Sequence, residues 1–201
     1  PEKDKDSFFV FDYCQNLEYF SQDPATTDGA SGDSLGKRLF KTRLELIGGL
    51  DSKLAAAGEN LVVDESPDGE PKTEATLRQS IAKLLQQEVA AMNIDNFVVR
   101  PYRRAVEKYA SPDAWTTLSG EAYTELAGDV AGLPTELEAE GEEAKRFDLL
   151  IMNLQLAVLK AEPSFARLCE QVKSIAGLLE EKSAIPMVQD QMPLIQDLQT
   201  D

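Results

Sequence analysis

The amino-acid sequence predicts a mainly α-helical fold, a multi-helix bundle with one orphan β-strand near the N-terminus. Apolar residues recur at three- and four-residue spacing along most of the chain, which is the period of amphipathic helices. Candidate strands are few, and Asp, Gly, Pro and Ser separate the periodic stretches, as is typical of loops. With 201 residues, of which 42% are hydrophobic, the chain is long enough to bury a core of its own.

The strand is predicted from the apolar run Phe8–Phe11 between charged flanks, a pattern typical of a strand buried in a parallel sheet. Residues 61–63 make one further candidate, so the first strand lacks a sheet. A cut inside a larger α/β domain would leave such a strand, and Pro1 in place of Met agrees with a piece of a longer chain. A short amphipathic helix then reaches residue 20, and residues 21–33 form a linker.

The helical domain is expected over residues 34–201, and its first long helix begins at Ser34, a residue type that caps helices. Gly48 and Gly49 weaken the middle of this helix and predict a kink or close packing there. The apolar face carries five leucines, Leu35, Leu39, Leu46, Leu50 and Leu54.

A loop or mobile hairpin is predicted for residues 59–72, because Pro67 and Pro71 are incompatible with a regular helix. Thr73 then opens a second long helix that ends near Asn93. Its apolar stripe consists of Leu77, Ile81, Leu84, Leu85 and Met92.

Three short helical segments follow. Pro101 lies in the first turn of one, Ser111 precedes the second, and Ser119 precedes the third, which Gly132 ends. The residues expected to face inward are Tyr102, Val106, Tyr109, Trp115, Leu118, Leu126 and Val130. Trp115 is predicted to anchor neighbouring helices rather than to stack on a base.

The strongest helical pattern comes after the acidic residues 136–143, which suit a solvated loop and a helix start. One side of this helix carries Phe147, Ile151, Leu154 and Val158, and Leu149, Leu156 and Leu159 broaden the stripe. We therefore predict a central helix that neighbouring helices cover.

The C-terminal part begins with a helix after Pro163 and Ser164, and its apolar residues are Phe165, Leu168, Val172, Ile175 and Leu179. Pro186 and Pro193 shape the final segment. Its apolar pattern stops at Asp201, so we expect the native chain to continue. Three methionines at apolar positions, Met152, Met187 and Met192, are interpreted as core residues.

Composition narrows the classes of function. A formal net charge of −16 makes the surface as a whole repel phosphate backbones and anionic lipids, so any nucleic-acid contact must be local. The chain has no histidine, which excludes hydrolytic triads and His-containing zinc sites. Cys14 and Cys169 are too few for a metal cluster and are expected as reduced, semi-buried thiols. The sequence has neither a membrane span nor a signal peptide, so we expect a cytoplasmic protein.

Two sequence fragments resemble catalytic motifs without completing them. Gly36-Lys37 matches the end of a phosphate-binding loop, but Ser31 and Arg38 stand where that loop needs Gly and Ser or Thr. Residues 67–72 spell a compressed nuclease signature, which a short Pro/Gly loop cannot hold in the geometry that a divalent metal needs. We therefore predict no catalytic and no metal-binding residues.

Positive charge is concentrated in two clusters. One cluster consists of Arg100, Arg103, Arg104 and Lys108, and the other consists of Lys37, Arg38 and Lys41. Either cluster could bind DNA phosphates or an acidic partner subunit. Pairing with the many carboxylates of the chain itself is the favoured interpretation.

Several stretches in order resemble the C-terminal region of the motor (R) subunits of type I restriction enzymes of the EcoEI-like kind, which are helicase-related DNA translocases. The matching stretches are FFVFDYCQNLEYF at 8–20, SLGKRLFKTRLELI at 34–47, NFVVRPYRRAVEKY at 96–109, AWTTLS at 114–119, EEAKRFDLLIMNLQLAVL at 142–159 and IPMVQDQMPLI at 185–195. Each is modest alone, and together they span nearly the whole chain.

The resemblance implies that residues 1–20 are the tail end of the second RecA-like motor domain and that the helical domain docks the motor onto the methyltransferase and specificity subunits. The ATP-binding loop, the Asp-Glu-x-x box and the nuclease domain of the family lie upstream and are absent from this sequence. ATP and Mg²⁺ would therefore belong to the parent protein, a site-specific deoxyribonuclease, and double-stranded DNA would be bound by the whole complex. Two alternatives stay open, a DNA-contacting module and a helical scaffold of another helicase-like protein.

Overall fold

A computed structural model describes residues 32–57, 73–137 and 141–200, and within these ranges the protein is mainly helical and contains no strand. The predicted strands at residues 8–11 and 61–63, the linker up to residue 31 and the loop at 59–72 lie outside the described residues. The α-helices are α1 (Leu35–Ala57), α2 (Glu74–Ala90), α3 (Arg103–Tyr109), α4 (Gly120–Glu125), α5 (Glu142–Lys160), α6 (Phe165–Glu180), α7 (Pro186–Asp190) and α8 (Met192–Thr200).

The two long N-terminal helices begin where the sequence predicts. Ser34 Oγ accepts a hydrogen bond from the Lys37 amide at 3.3 Å. At the start of α2, Thr73 Oγ1 accepts from the Thr76 amide at 3.2 Å and Thr76 Oγ1 accepts from the Thr73 amide at 3.0 Å. This reciprocal pair is a capping box, with Thr in the place usually taken by Glu or Gln.

The short segments contain tighter and wider turns than the α-helices that the sequence predicts. Pro101 lies in a 3-10 turn, Arg100–Tyr102, that leads into α3, and Pro112–Trp115 is a second 3-10 turn. The residues after α4, Leu126–Val130, form one π-helical turn. Gly132, at φ +86°, then ends the segment, because L residues with side chains rarely adopt that conformation.

Helix α1 lies at the centre of the bundle and packs against α2 on one side and α5 on the other. Helix α3 and the 3-10 turn Pro112–Trp115 pack on α2, and the π-helical turn Leu126–Val130 contacts α1 and α3. Helix α6 packs on α5, and α8 packs on α6. Gly48 and Gly49 allow close packing of α1, as predicted. An added Cβ would lie 3.5 Å from the Tyr123 ring at Gly48 and 3.3 Å from Leu159 Cδ1 at Gly49.

The hydrophobic core lies mainly between α1, α2, α3 and the segment from Trp115 to Val130. Its largest fully buried side chains are Tyr109, Phe40, Leu46, Ile47, Leu50, Leu85, Leu126, Val89, Val99, Val106 and Val130. Trp115 is also buried and joins neighbouring helices, as predicted. In α6 the buried side chains are Leu168, Val172 and Ala176, so the C-terminal helices are held by a smaller apolar contact.

The predicted inner face of α5 is partly wrong. Phe147 and Val158 are 42% and 57% exposed, whereas Leu149 and Leu156 on the other side of the helix are buried. Because α1 covers only one side of α5, the broader stripe that the sequence shows is not covered all round. The predictions for Tyr102 and Met187 are also wrong, since these side chains are 39% and 79% exposed.

Candidate functional site

The two basic clusters are named here from their helices: the α3 cluster is Arg100, Arg103, Arg104 and Lys108, and the α1 cluster is Lys37, Arg38 and Lys41. All four side chains of the α3 cluster are exposed, and two of them are paired with carboxylates. Arg103 Nε donates to Glu107 Oε1 at 2.7 Å, and Lys108 Nζ donates to Glu125 Oε2 at 2.7 Å. The hydrogen bond from Lys108 lowers the pKa of Glu125, and the same contact raises the pKa of Lys108. The favoured interpretation, internal pairing, is therefore correct for two of the four cations.

Arg100 and Arg104 differ from the other two members of the cluster. Both side chains are exposed, and neither has an ion pair with a carboxylate of the described residues. Arg100 opens the 3-10 turn that leads into α3, and Arg104 lies in the first turn of α3 itself. Arg104 still acts electrostatically on Glu125, because its positive charge is one of the causes that lower the pKa of that carboxyl. Arg100 and Arg104 are the two cations of the cluster without an ion pair among the described residues.

The α1 cluster has an acidic partner of its own. Lys41 Nζ lies 2.6 Å from Asp33 Oδ2, and Lys37 Nζ lies 3.3 Å from Asp33 Oδ1. The hydrogen bond from Lys41 is the largest influence that lowers the pKa of Asp33. Arg38 is exposed and has no such partner among the described residues. The two basic clusters are thus separate surface features of α1 and α3.

A buried polar network, which the sequence interpretation missed, lies between α1, α2 and α4. Arg78 is 3% exposed. Its Nε donates to Asp51 Oδ1 at 2.8 Å, its Nη2 to Asp51 Oδ2 at 3.3 Å, and its Nη1 to the Trp115 carbonyl at 2.6 Å. Tyr123 OH donates to Asp51 Oδ2 at 3.1 Å. Burial is the main reason that the pKa of Tyr123 is raised, and the negative charge of Asp51 adds to it.

A second buried arginine joins α1, α2 and α5. Arg43 is 7% exposed, and its guanidinium lies 3.7 Å from Glu88 and 3.3 Å from Asp148. The sequence does contain a signal for both buried arginines, because each occupies an apolar helical face. Arg78 precedes Ile81 and Leu85 by three and seven residues, a spacing that places all three side chains on one side of α2.

These networks hold helices in place. Arg78 and Asp51 form a bidentate ion pair whose charges neutralise each other. The other hydrogen bonds of the network join Arg78 to the Trp115 carbonyl and Tyr123 to Asp51.

The described ranges contain no group of three or more His, Cys, Asp or Glu side chains that could bind a metal ion. None of the helices in those ranges is both long and apolar enough to cross a membrane.

Comparisons with models of known protein families, with curated proteins and with solved structures find no match to this chain.

Many exposed apolar side chains lie on α5 and the helices after it. A groove of about 750 Å³ between α5 and α6 is lined by Phe147, Leu150, Ile175 and Leu179, with Glu143 and Arg146 at its edge. Exposed large apolar side chains continue along α5 to α8: Phe147, Val158, Phe165, Leu178, Leu179, Ile185, Met187, Leu194 and Leu198. The chemistry of this surface suits contact with another apolar surface.

Proposed function

We propose that the chain is an assembly domain, the helical C-terminal part of a type I restriction enzyme R subunit, which docks the motor onto the methyltransferase and specificity subunits. The observation that carries the docking role is the row of exposed apolar side chains along α5 to α8. Monomeric soluble proteins rarely expose extended apolar surface unless it binds a partner. The choice of the methyltransferase and specificity subunits as that partner is motivated by the ordered sequence stretches that resemble the R subunits.

The polar chemistry of the described residues also favours an assembly role. The best-formed polar groups, Arg78, Asp51 and Tyr123, hold three segments together and use their hydrogen-bonding atoms on one another. A buried guanidinium neutralised in this way specifies how helices pack. It has no atom left in a position to act on a substrate.

The finer parts of the proposal concern the parent protein. Residues 1–20, with the apolar run Phe8–Phe11, would be the last strand and helix of the second RecA-like motor domain. ATP and Mg²⁺ would bind upstream, and cleavage of unmethylated DNA would be an activity of the whole cytoplasmic complex. In this scheme the helical domain takes no part in catalysis, and it determines the position at which the motor binds the other subunits.

A competition experiment tests the proposal. The purified chain should bind the methyltransferase–specificity complex and prevent intact R subunit from joining it, so that DNA cleavage by the reconstituted enzyme falls. Phe147→Glu and Leu179→Glu should weaken competition, because each places a charge in the apolar groove. Leu84→Glu, at a 44% exposed leucine on α2, is the matched control. Wild-type chain that fails to compete even in large excess would contradict the proposal.

A DNA-contacting module is the second candidate, favoured by the two unpaired arginines of the α3 cluster. It ranks below assembly because Arg103 and Lys108 are already paired, which leaves few cations for phosphates in a chain of charge −16. If it is correct, the chain binds duplex DNA with an affinity that falls steeply as salt rises. Arg100→Glu and Arg104→Glu would abolish that binding, and binding that ignores salt would argue against a phosphate contact.

A further inference from the structure

The last three helices, α6 to α8, lie outside the main hydrophobic core. Within the described residues, the contiguous core begins at Phe40, and its last buried side chain is Leu156 of α5. The buried side chains of α6, Leu168, Val172 and Ala176, form a smaller apolar contact of their own. Because α6 packs on α5 and α8 packs on α6, these helices are a second layer that is attached to the bundle mainly through α5.

Helix α5, by contrast, is fixed on α1 by two ion pairs. In its first half, Asp148 Oδ2 accepts a hydrogen bond at 3.3 Å from Arg43 Nη2, and Arg43 is almost completely buried. At the last residue of α5, Lys160 Nζ donates to Glu45 of α1. Leu156, between the two ion pairs, belongs to the main core. The boundary of the second layer is therefore the contact between α5 and α6.

Helices α6 to α8 leave much of their apolar surface in water. Met187, Leu194 and Leu178 are 79%, 66% and 60% exposed. Since the gain from burial is proportional to the apolar area removed from water, these side chains add little to the stability of the layer. Helices α7 and α8 have five and nine residues, and isolated helices shorter than about 12–15 residues are marginal in water. Detachment from α5 would therefore also unfold them.

The contact between α6 and α8 contains a buried polar atom that lowers its stability. Gln199 Nε2 is buried and has no hydrogen-bond partner among the described residues. It lies close to Gly177 of α6, 3.8 Å from the position that a Cβ on this glycine would take. A buried amide that has lost water without gaining a partner is destabilising. Separation of α8 from α6 would return this group to water.

The connection between α5 and α6 is strained. Ala161 has φ 51°, in the left-handed region that is unfavourable for a residue with a Cβ. Pro163 follows two residues later, and α6 begins at Phe165. Strained backbone of this kind is concentrated at functional sites and switch regions. Because opening at this connection would relax the strain, residues 161–164 have the properties of a hinge.

We infer that α6 to α8, here called the C-terminal flap, open from α5 as one unit around residues 161–164 while the core from α1 to α5 stays folded. Proteins open in such units where buried apolar contacts are few. The flap supplies one wall of the groove between α5 and α6 through Gln171, Ser174, Ile175 and Leu179. The groove therefore exists only while the flap is closed.

Opening is a property of the chain alone and does not depend on the proposed function. If the groove is the docking site, as proposed above, a partner bound there holds the flap closed, because the partner binds that state alone. The flap would then regulate how much of the chain is able to dock.

The half-buried thiol of Cys169 in α6 measures opening directly. In the full chain with Cys14→Ser, which leaves one thiol, the rate at which a small thiol reagent modifies Cys169 is recorded. Val172→Ala should raise this rate about tenfold, because it removes both methyl groups from the buried face of α6. Ala161→Gly should lower the rate about fivefold, because glycine relieves the strain of the closed state.

Val106→Ala is the matched control. It makes the same change at a side chain that is buried in the main core, so it should lower the urea midpoint measured by Trp115 fluorescence. The modification rate of Cys169 should stay within about twofold of the parent, because the core remains folded when the flap opens. Hydrogen exchange followed by mass spectrometry should show the amides of α6 and α8 exchanging together, with a shallower dependence on urea than those of α1 and α2.

Three results would overturn the inference. A modification rate that rises in Val106→Ala in proportion to the lost core stability would mean that the chain opens only by global unfolding. A rate that Val172→Ala leaves unchanged would mean that the thiol reacts in the closed state. Exchange of α8 amides without those of α6 would mean that the flap is not one unit. Circular dichroism verifies that each variant is folded, and the competition experiment tests the proposed function separately.

Discussion

The polar residues that matter most to the fold are those that sit where apolar residues are expected. Arg78 and Arg43 lie on apolar helical faces and are almost completely buried. A charge in such a place is tolerated only when it is paired, and Arg78 meets this condition through Asp51 and the Trp115 carbonyl. Arg43 is paired with Glu88 and Asp148, although its Nε has no hydrogen-bond partner among the described residues. Separating either arginine from its carboxylates would leave a buried charge unpaired, which strongly destabilises a fold.

Tyr123 makes the stability of the network depend on alkaline pH. Its pKa is raised above the ordinary 10.0, chiefly by burial. The folded protein therefore holds this proton more tightly than the unfolded chain does, so the stabilisation is fully present below pH 10 and is lost as pH rises through the folded pKa. We expect the free energy of unfolding to decline above pH 10.

Tyr123→Phe should flatten most of that decline and lower stability at neutral pH by about 1 kcal/mol, because the hydrogen bond to Asp51 is lost. Urea unfolding at neutral and alkaline pH measures both effects. A smaller decline remains in the variant, because burial raises the pKa of Tyr109 and hydrogen bonds to Glu125 and Glu45 raise the pKa values of Lys108 and Lys160. Tyr102→Phe, at an exposed position, is the control and should keep the wild-type pH profile. A Tyr123→Phe profile as steep as wild type would contradict the assignment.

Ala161 is a residue whose backbone is strained. It ends α5 in the left-handed region, at φ 51°, where a Cβ is unfavourable and glycine is usual. Ala161→Gly should raise the free energy of unfolding by about 1 kcal/mol.

Gly132 is the opposite case, because its φ of +86° favours glycine. Gly132→Ala should lower the free energy of unfolding, since the new Cβ would lie 2.9 Å from Lys37 Cβ. Urea unfolding of both variants measures whether each substitution raises or lowers the free energy of unfolding. A destabilised Ala161→Gly variant would contradict the assignment of backbone strain to Ala161.

At the scale of the helices, α1 is defined by how closely its neighbours approach. The two glycines at its centre leave room for the Tyr123 ring and for Leu159 of α5. Gly49→Val should reduce stability by about 1–3 kcal/mol, because the added methyl groups push α5 away.

Gly36→Val tests whether packing is the cause. Gly36 is in the first turn of the same helix, and an added Cβ there would meet nothing within 4 Å. Both substitutions add the same β-branched side chain, so the difference between their urea midpoints isolates the contact with α5. Equal losses at the two positions would show that helix propensity, rather than close packing, is responsible.

The starts of the helices could be predicted from the sequence, whereas the burial of their faces could be predicted only in part. Ser34 and Thr73 are local signals, and each caps its helix as expected. In α5 the apolar stripe covers more than one side, so periodicity alone could not decide between Leu149 and Phe147. That choice depends on where α1 lies, which is a tertiary property.

For the candidate site, too, the local sequence predicted which residues are present but not which of them stay unpaired. The α3 cluster was visible as a run of basic residues, but Lys108 pairs with Glu125, seventeen positions away. Which cations stay unpaired could therefore not be predicted from spacing.

For the whole molecule, the net charge of −16 makes repulsion among carboxylates the main long-range electrostatic effect on stability. Carboxylates that repel one another are closer together in the folded state, and salt screens them over about 8 Å at physiological ionic strength. The urea midpoint should therefore rise from very low salt to about 0.15 M NaCl. In mild acid, where part of the carboxylates are protonated, the rise should shrink. A midpoint that falls with salt would mean that ion pairs outweigh the repulsion.

The position of Trp115 has a practical consequence for all of these measurements. It is the sole tryptophan of the chain, it is 3% exposed, and its indole Nε1 donates to the Tyr109 carbonyl at 2.8 Å. Its emission therefore originates from one buried location, and the backbone carbonyl of the same residue accepts a hydrogen bond from Arg78. A red shift in its fluorescence would report that the indole has become exposed to solvent. A single optical signal can therefore follow the unfolding of the α1–α2–α4 region.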